Sequence, residues 1–289
     1  MQYLCPTPLR LAVGPRQRRD VQVHGWRTAK ATAIGTSHLR DGIVCQDSAE
    51  CVVLREDDQQ EVLVAVVSDG AGSASRSDAG SRIACELLVA DVRELVRSRR
   101  PLCVLGEQFA RDWVQRLGVE ISLRAEAEGV LPREFACTVI AAVADDTQAV
   151  FFQIGDGACV YALEDADDFL VATWPQEGEY ANLTWFASEP GAADRVDFLR
   201  VNARISRIAL FSDGLQRVAL SFAERTPHAP FFRPLFRRLE TCGEADLDYL
   251  STALKDFLSS QQVNSRTDDD KSLVLASRAL TPVTDPPAE

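Results

Sequence analysis

Residues Val62-Leu-Val-Ala-Val-Val67-Ser68-Asp69-Gly70-Ala71-Gly72-Ser73 carry six apolar positions straight into a polar, glycine-rich break. A continuous, largely β-branched run of this length suits a strand buried on both faces. Upstream, across the polar turn Glu56–Gln60, Cys51–Arg55 reads as a second strand, and Val21–Ile34 as a third. The stretch from Gly35 to Asp47 between them reads as a loop.

Downstream, apolar residues at Ala84, Leu87, Leu88, Val92, Leu95 and Val96 predict a helix over Asp78–Val96. Phe109, Trp113, Leu117 and Ile121 predict another over Leu105–Ala127, with Gly129 as its C-cap. Strands follow at Ala136–Ala144 and Ala149–Ile154, joined through Asp145–Gln148, and at Ala158–Leu163 and Phe169–Thr173. Trp174–Ala193 reads as a long loop. Arg207–Phe211 is another buried strand, Phe231–Ser260 a helical region, and Ser272–Ala276 the last strand. Strands that arrive as hairpins favour antiparallel sheets with helices packed outside over a doubly wound parallel sheet.

The 289 residues are 46% apolar, enough for a sizeable core, and carry a formal net charge of −12. That charge argues against nucleic-acid binding, which recruits clustered Lys and Arg. No apolar stretch is long enough to span a bilayer, and Pro6 and Pro8 open a segment with no signal-peptide core, so no membrane partner and a cytoplasmic setting are expected. None of the eight cysteines forms a C-x-x-C pair, which suits reduced thiols. The three histidines, His24, His38 and His228, make an imidazole zinc site improbable and direct any metal chemistry to Mg²⁺ or Mn²⁺. Residues 1–20 read as a loosely ordered lead-in, 21–278 as one catalytic domain, and 279–289 as a disordered tail.

One feature recurs along the chain. Apolar strands end in Ser68-Asp69-Gly70, Gly155-Asp156-Gly157 and Ser212-Asp213-Gly214, while Asp47 closes a loop between strands and Asp269 lies just before the last one. Each Asp-Gly taken alone reads as a turn. Carboxylates converging from several strands would instead repel one another unless cations neutralise them, which makes a Mg²⁺ or Mn²⁺ site the competing reading.

Gln46-Asp47, Ser68-Asp69-Gly70-Ala71-Gly72-Ser73, Cys137-Thr138, Gly155-Asp156-Gly157, Ser212-Asp213-Gly214 and Asp269-Asp270-Lys271-Ser272 occur in the order seen in the protein phosphatase 2C family. The resemblance spans about Val21 to Ala276. Gly35-Thr36-Ser37-His38 and Gly178-Glu179-Tyr180-Ala181-Asn182-Leu183-Thr184 resemble a divergent bacterial branch of it. It implies an α+β fold of two stacked antiparallel β-sheets flanked by helix pairs. It also implies a metal-dependent serine/threonine protein phosphatase in which a hydroxide bridging two Mn²⁺ or Mg²⁺ ions attacks the phosphomonoester. By resemblance, Asp47, Asp69, Asp213 and Asp269 hold those metals, with the main-chain carbonyl of Gly70 as a further ligand, and Asp156 matches a third, weaker site.

Three departures bear on that reading. The position of the family's phosphate-gripping Arg is Gly42, and Arg40 or His38 are the nearby stand-ins, each also readable as a solvated loop residue. Ala71 replaces a His that some members carry. Arg217 occupies the place of the third metal's other ligand, and a cation cannot ligate a cation; it reads as a surface or ion-paired residue, with positive charge near the substrate as the other reading. In the Trp174–Ala193 loop, Tyr180, Trp185 and Phe186 either contact substrate or pin the loop, with pinning favoured for Trp185. Expected partners are phosphoserine and phosphothreonine proteins and a cognate kinase. The alternatives are a weakly catalytic phosphatase-like module that binds phosphoprotein or kinase, and a Mg²⁺-dependent hydrolase of small phosphoesters.

Overall fold

In β3 (Val62–Ser68) every residue is buried, and the alternation of its side chains sets the layering. Val62, Val64 and Val66 enter one core, and Leu63, Ala65 and Val67 enter another, as the two-residue period of a strand dictates. A strand with both faces covered has no use for polar alternation, which is why the run is continuously apolar.

The computed structural model describes residues 23–56, 60–164, 166–176 and 184–280. Among them, two five-stranded antiparallel sheets stack face to face. One has the order β2 (Ser48–Leu54), β3, β4 (Val139–Ala144), β5 (Ala149–Ile154), β8 (Asp197–Val201). The other has the order β1 (Val23–Ala33), β12 (Lys271–Leu280), β9 (Ile205–Phe211), β6 (Ala158–Leu163), β7 (Leu170–Thr173). A two-residue pair, β10 (Leu220–Ser221) and β11 (Thr226–Pro227), lies apart.

Three apolar layers fill the stack. Between the sheets, Phe151 stacks on Tyr161 with ring centroids 5.4 Å apart. The helices α2 (Ser77–Arg97) and α3 (Glu107–Glu128) close the first sheet's outer face, where Trp113 packs on Phe152 at 5.5 Å. The helices α5 (Ala229–Thr241) and α6 (Leu247–Leu258) close the second, through Phe232, Phe236 and Leu254. Each large apolar side chain so buried contributes about 1.5–3 kcal/mol. The two-sheet α+β sandwich expected from the family resemblance is therefore the fold of the chain.

Several boundaries differ from the sequence reading, each for a physical reason. The loop Gly35–Asp47 contains a six-residue helix, α1 (Thr36–Asp41), with no buried residue and so no apolar stripe to betray it. The helical region Phe231–Ser260 is two helices, because Cys242 is extended (ψ 157°) and breaks the ladder. The strand expected from Ala136 begins at Val139, after a short turn at Pro132–Phe135. β8, at the sheet edge and partly exposed along its length, carries no continuous apolar run to mark it as a strand. The last strand runs on to Leu280, which pairs with Val23. The lead-in at 1–20 and the tail from Thr281 lie outside the described residues.

Strand register brings the acidic residues to one edge. Ser48 pairs with Ser68, and Val139 with Ile154, at one end of the first sheet. In the second, Phe211 pairs with both Leu273 and Ala158. Asp47, Asp69, Asp156, Asp213 and Asp269 therefore all sit just beyond the same edge of the sandwich.

Candidate metal centre

Asp47 precedes β2 and is buried, and its Oδ2 accepts the Ser212 hydroxyl at 2.7 Å. Ser212 Oγ in turn accepts the Ser272 N–H at 2.9 Å, so one hydroxyl ties Asp47 to the ends of β9 and β12. Asp69 leaves β3 between two bonds to Thr138: its N–H donates to Thr138 Oγ1 at 3.0 Å, and its carbonyl accepts the Thr138 N–H at 2.8 Å. Asp213 opens a short turn that leads into α4 (Gln216–Ala219).

A side chain at position 214 would place its Cβ 2.0 Å from the Asp270 carbonyl oxygen, so only glycine lets Asp213 approach the segment before β12. Asp156 follows Gly155, whose φ of 115° lies in the left-handed region. Its Oδ2 accepts the Thr184 hydroxyl, and its carbonyl accepts Gln216 Nε2.

Side-chain oxygens of Asp69, Asp156 and Asp213 lie within 4.8 Å of one another. The Asp69 carboxyl also stands within hydrogen-bonding reach of Asp47. Asp269 is exposed at the rim, where its charge acts on both Asp156 and Asp213. The structure thus gathers the four expected aspartates with Asp156, and the tight trio within this group includes Asp156.

The electrostatics are those of like charges forced together. Burial, Asp270 and Asp213 push the Asp47 carboxyl up to about 7 despite the Ser212 bond. Burial, Asp156 and Asp269 raise Asp213 to about 7. Asp69 is held well above the carboxylate range by burial and by Asp47 and Asp213, and Asp156 is raised mainly by burial. Asp47 Oδ1 and Asp213 Oδ1 are buried with no hydrogen-bond donor. Unpaired buried carboxylate oxygens facing other carboxylates are what a hard divalent cation satisfies, so the donor set fits Mg²⁺ or Mn²⁺.

Neighbouring residues hold this arrangement in place. Asp270, almost fully buried, accepts the N–H groups of Gly35 and Gln46 at 2.6 Å each. Lys271 Nζ donates to the Asp269 carbonyl and to Asn264 Oδ1, both at 3.0 Å. Sequence reading passed over Asp270, Lys271, Ser212, Thr184 and Gln216 as supports. The one available signal was their adjacency to the Asp motifs.

The two proposed phosphate-contacting residues sit on α1. Arg40 is 70% exposed in its side chain and pairs with its neighbour Asp41 at 3.1 Å. His38 Nδ1 lies 3.0 Å from Asp270 Oδ2, off the hydrogen-bond direction. Arg217 is exposed on α4. In the long loop, the Arg195 guanidinium lies 3.6 Å from the Trp185 ring centre, and Phe186 packs on Ala71, Ala74 and Ala136. Tyr180 and the stretch 178–183 lie outside the described residues.

The protein phosphatase 2C family profile matches residues 34–259, which include Asp47, Asp69, Asp156 and Asp213. Serine/threonine-protein phosphatase 3 of Escherichia coli (strain K12) is 36% identical over 251 residues, which is 87% of this chain and 98% of that protein. Among solved structures, a bacterial serine phosphatase superposes with a TM-score of 0.56 at 15% identity, covering 89% of this chain and 99% of that one. The serine/threonine phosphatase Stp1 from Staphylococcus aureus gives 0.55 at 14% identity, covering 91% and 99%. At such identities the structures speak for the fold alone; the sequence matches speak for kinship. The chain belongs to the protein phosphatase 2C family, the metal-dependent serine/threonine phosphatases.

Proposed function

We propose that this metal-dependent serine/threonine phosphatase holds two divalent cations, Mn²⁺ or Mg²⁺, with Asp47, Asp69, Asp213, Asp269 and the Gly70 carbonyl. The observation that carries this reading is the set of mutually repelling carboxylates at one sandwich edge, two of whose oxygens are buried with no donor. Bound there, the cations would lower the pKa of a coordinated water and screen the phosphoryl oxygens. A third site at Asp156 lacks the acidic partner that the family resemblance places at position 217, where this chain has Arg, although Asp156 stands close to Asp69 and Asp213.

The chain's own groups position the reaction. Ser212 fixes one oxygen of Asp47 and leaves the other without a donor, and Thr184 holds one oxygen of Asp156. Glycines at 70 and 214 let the backbone close around the edge without side-chain obstruction. Arg40, whose ion pair is with an exposed neighbour, is the proposed contact for the substrate phosphate, with His38 beside it. The described thiols nearest this edge stay protonated: burial pushes Cys137 up to about 12, and burial with Asp47 raises Cys45.

We infer phosphoserine and phosphothreonine proteins as substrates. A serine/threonine kinase or its targets is the inferred partner, since a kinase must have installed the ester. The described cysteines are all free thiols, which supports a reducing cytoplasmic setting. No helix among the described residues is long and apolar enough to cross a membrane.

The test is phosphate release from a phosphothreonine peptide with Mn²⁺, Mg²⁺ or EDTA, in the wild type and Asp213→Asn. Metal-dependent release that the substitution abolishes supports the reading. A folded wild type that binds metal yet releases no phosphate moves the assignment to a phosphoprotein-binding module.

A further inference from the structure

Beside the acidic edge lies a recess of opposite character. It has a volume of about 530 Å³, and its walls include Arg217, Arg266 and His228 over an apolar floor formed by Val218, Phe231 and Val263. No Asp or Glu lines it, although the chain carries 43 acidic residues against 31 Lys and Arg. Arg217 and Arg266 are both exposed, and neither makes an ion pair among the described residues. Arg207 and Arg278, elsewhere in the second sheet, are by contrast paired with Glu240 and Asp146.

The position of the recess gives these charges a use. Arg217 lies four residues after Asp213, on α4 just beyond the turn that Asp213 opens, and Gln216 beside it donates to the Asp156 carbonyl. Arg266 lies three residues before Asp269. The recess is therefore bracketed by the two segments that carry Asp213 and Asp269. A second shallow hollow, walled by Arg233, Arg237 and Arg238, shares Pro234 with it and extends the basic face along α5.

We propose that this recess is a specificity subsite that binds an acidic side chain of the substrate polypeptide flanking the phosphorylated residue. The proposal rests on the phosphatase reading above and deepens it. Charge complementarity selects the occupant: two unpaired guanidinium groups attract a carboxylate, and the apolar floor receives the peptide's aliphatic stem. A long polyanion such as a nucleic acid fits less well, because it would also meet the field of a chain of net charge −12.

The test compares two phosphothreonine peptides, one with Glu and one with Gln on both flanks, together with p-nitrophenyl phosphate, which is too small to reach the recess. The proteins are the wild type, Arg217→Ala, Arg266→Ala and the double variant, each with Mn²⁺. The expected result is a KM for the Glu peptide raised roughly fivefold or more in the double variant, with kcat held. The Gln peptide and p-nitrophenyl phosphate should stay within about twofold, and added salt should erase the wild-type preference for Glu.

A Glu-peptide KM unchanged in the double variant would overturn the proposal, as would a parallel loss on all three substrates. If the wild type hydrolyses none of them, the phosphatase reading fails separately. Fluorescence anisotropy of the labelled Glu peptide then tests the recess by itself. Binding lost in the double variant supports the subsite, and binding unaffected, or weaker than that of an oligonucleotide, overturns it.

Discussion

Asp270 Oδ2 accepts the Gln46 N–H at 2.6 Å, joining residues 224 positions apart, while its Oδ1 accepts the Gly35 N–H at the same distance. Two adjacent aspartates have thereby taken opposite roles. Asp270 is buried and holds two backbone donors, and Asp269 is exposed, with its Oδ1 accepting the Asp270 N–H at 2.8 Å and its charge acting on the acidic edge. The bonds of Asp270 fix the residue directly before Asp47. Asp270→Ala would leave two buried N–H groups unpaired at about 1–3 kcal/mol each. The expected outcome is a thermal midpoint lowered by roughly 2–4 °C per kcal/mol, read in EDTA. Asp270→Asn, which keeps one acceptor oxygen, should lose about half as much.

Ser212 tests the same support from the second sheet. Its hydroxyl donates to Asp47 Oδ2 and receives the Ser272 N–H, so Ser212→Ala frees Asp47 to rotate. Outer hydrogen-bond partners of metal ligands typically contribute 10–100-fold in affinity. Half-maximal activation by Mn²⁺ should therefore shift upward by roughly tenfold, with kcat at saturating metal reduced much less. An unchanged Mn²⁺ dependence would show that Asp47 does not need this bond.

The raised carboxyls make a signed prediction about stability. Asp47 and Asp213 bind protons more tightly in the folded chain, at about 7, than at their ordinary value of 3.8. Between those limits the folded state holds more protons than the unfolded one, so metal-free stability is greatest below pH 4 for these groups and falls as pH rises towards 7. Asp69 and Asp156, raised in the same direction by burial, act with the same sign. Metal-free protein should melt several degrees lower at pH 7.5 than at pH 5.5, and Mn²⁺ should recover the difference at pH 7.5. A metal-free midpoint that rises from pH 5.5 to 7.5 would contradict it.

Gly214→Ala is the matching steric test. The new methyl would meet the Asp270 carbonyl at 2.0 Å, so either Asp213 or the Asp269–Asp270 segment must move. Overpacking of this kind costs about 1–3 kcal/mol or more. Activity should fall by at least about tenfold, because a displacement of 1 Å at the ligands is enough for that. Circular dichroism should show the sandwich retained.

Much of this was legible in the chain because the physics was local. Val62–Val67 and Arg207–Phe211 announce buried strands by composition, and the Asp-Gly pairs announce their ends. What stayed hidden depends on neighbours. α1 buries nothing, so it carries no stripe. The break at Cys242 is masked because Leu247, Leu250, Leu254 and Leu258 continue the apolar period of the preceding helix. β8 owes its pairing to β5 across the sheet, not to any pattern of its own. The acid run Asp268-Asp269-Asp270 gives no hint of which member is buried, since that depends on Gly35 and Gln46 arriving from the other end of the chain.

The most direct measurement is the number of Mn²⁺ ions bound per metal-free chain at pH 7.5, by calorimetric titration, in the wild type and Asp69→Asn, with phosphate release followed on the same samples. The account predicts two equivalents for the wild type, loss of at least one in Asp69→Asn, and release that falls by two orders of magnitude or so with it. Equal Mn²⁺ uptake by both proteins, or phosphate release that persists in EDTA, would contradict it.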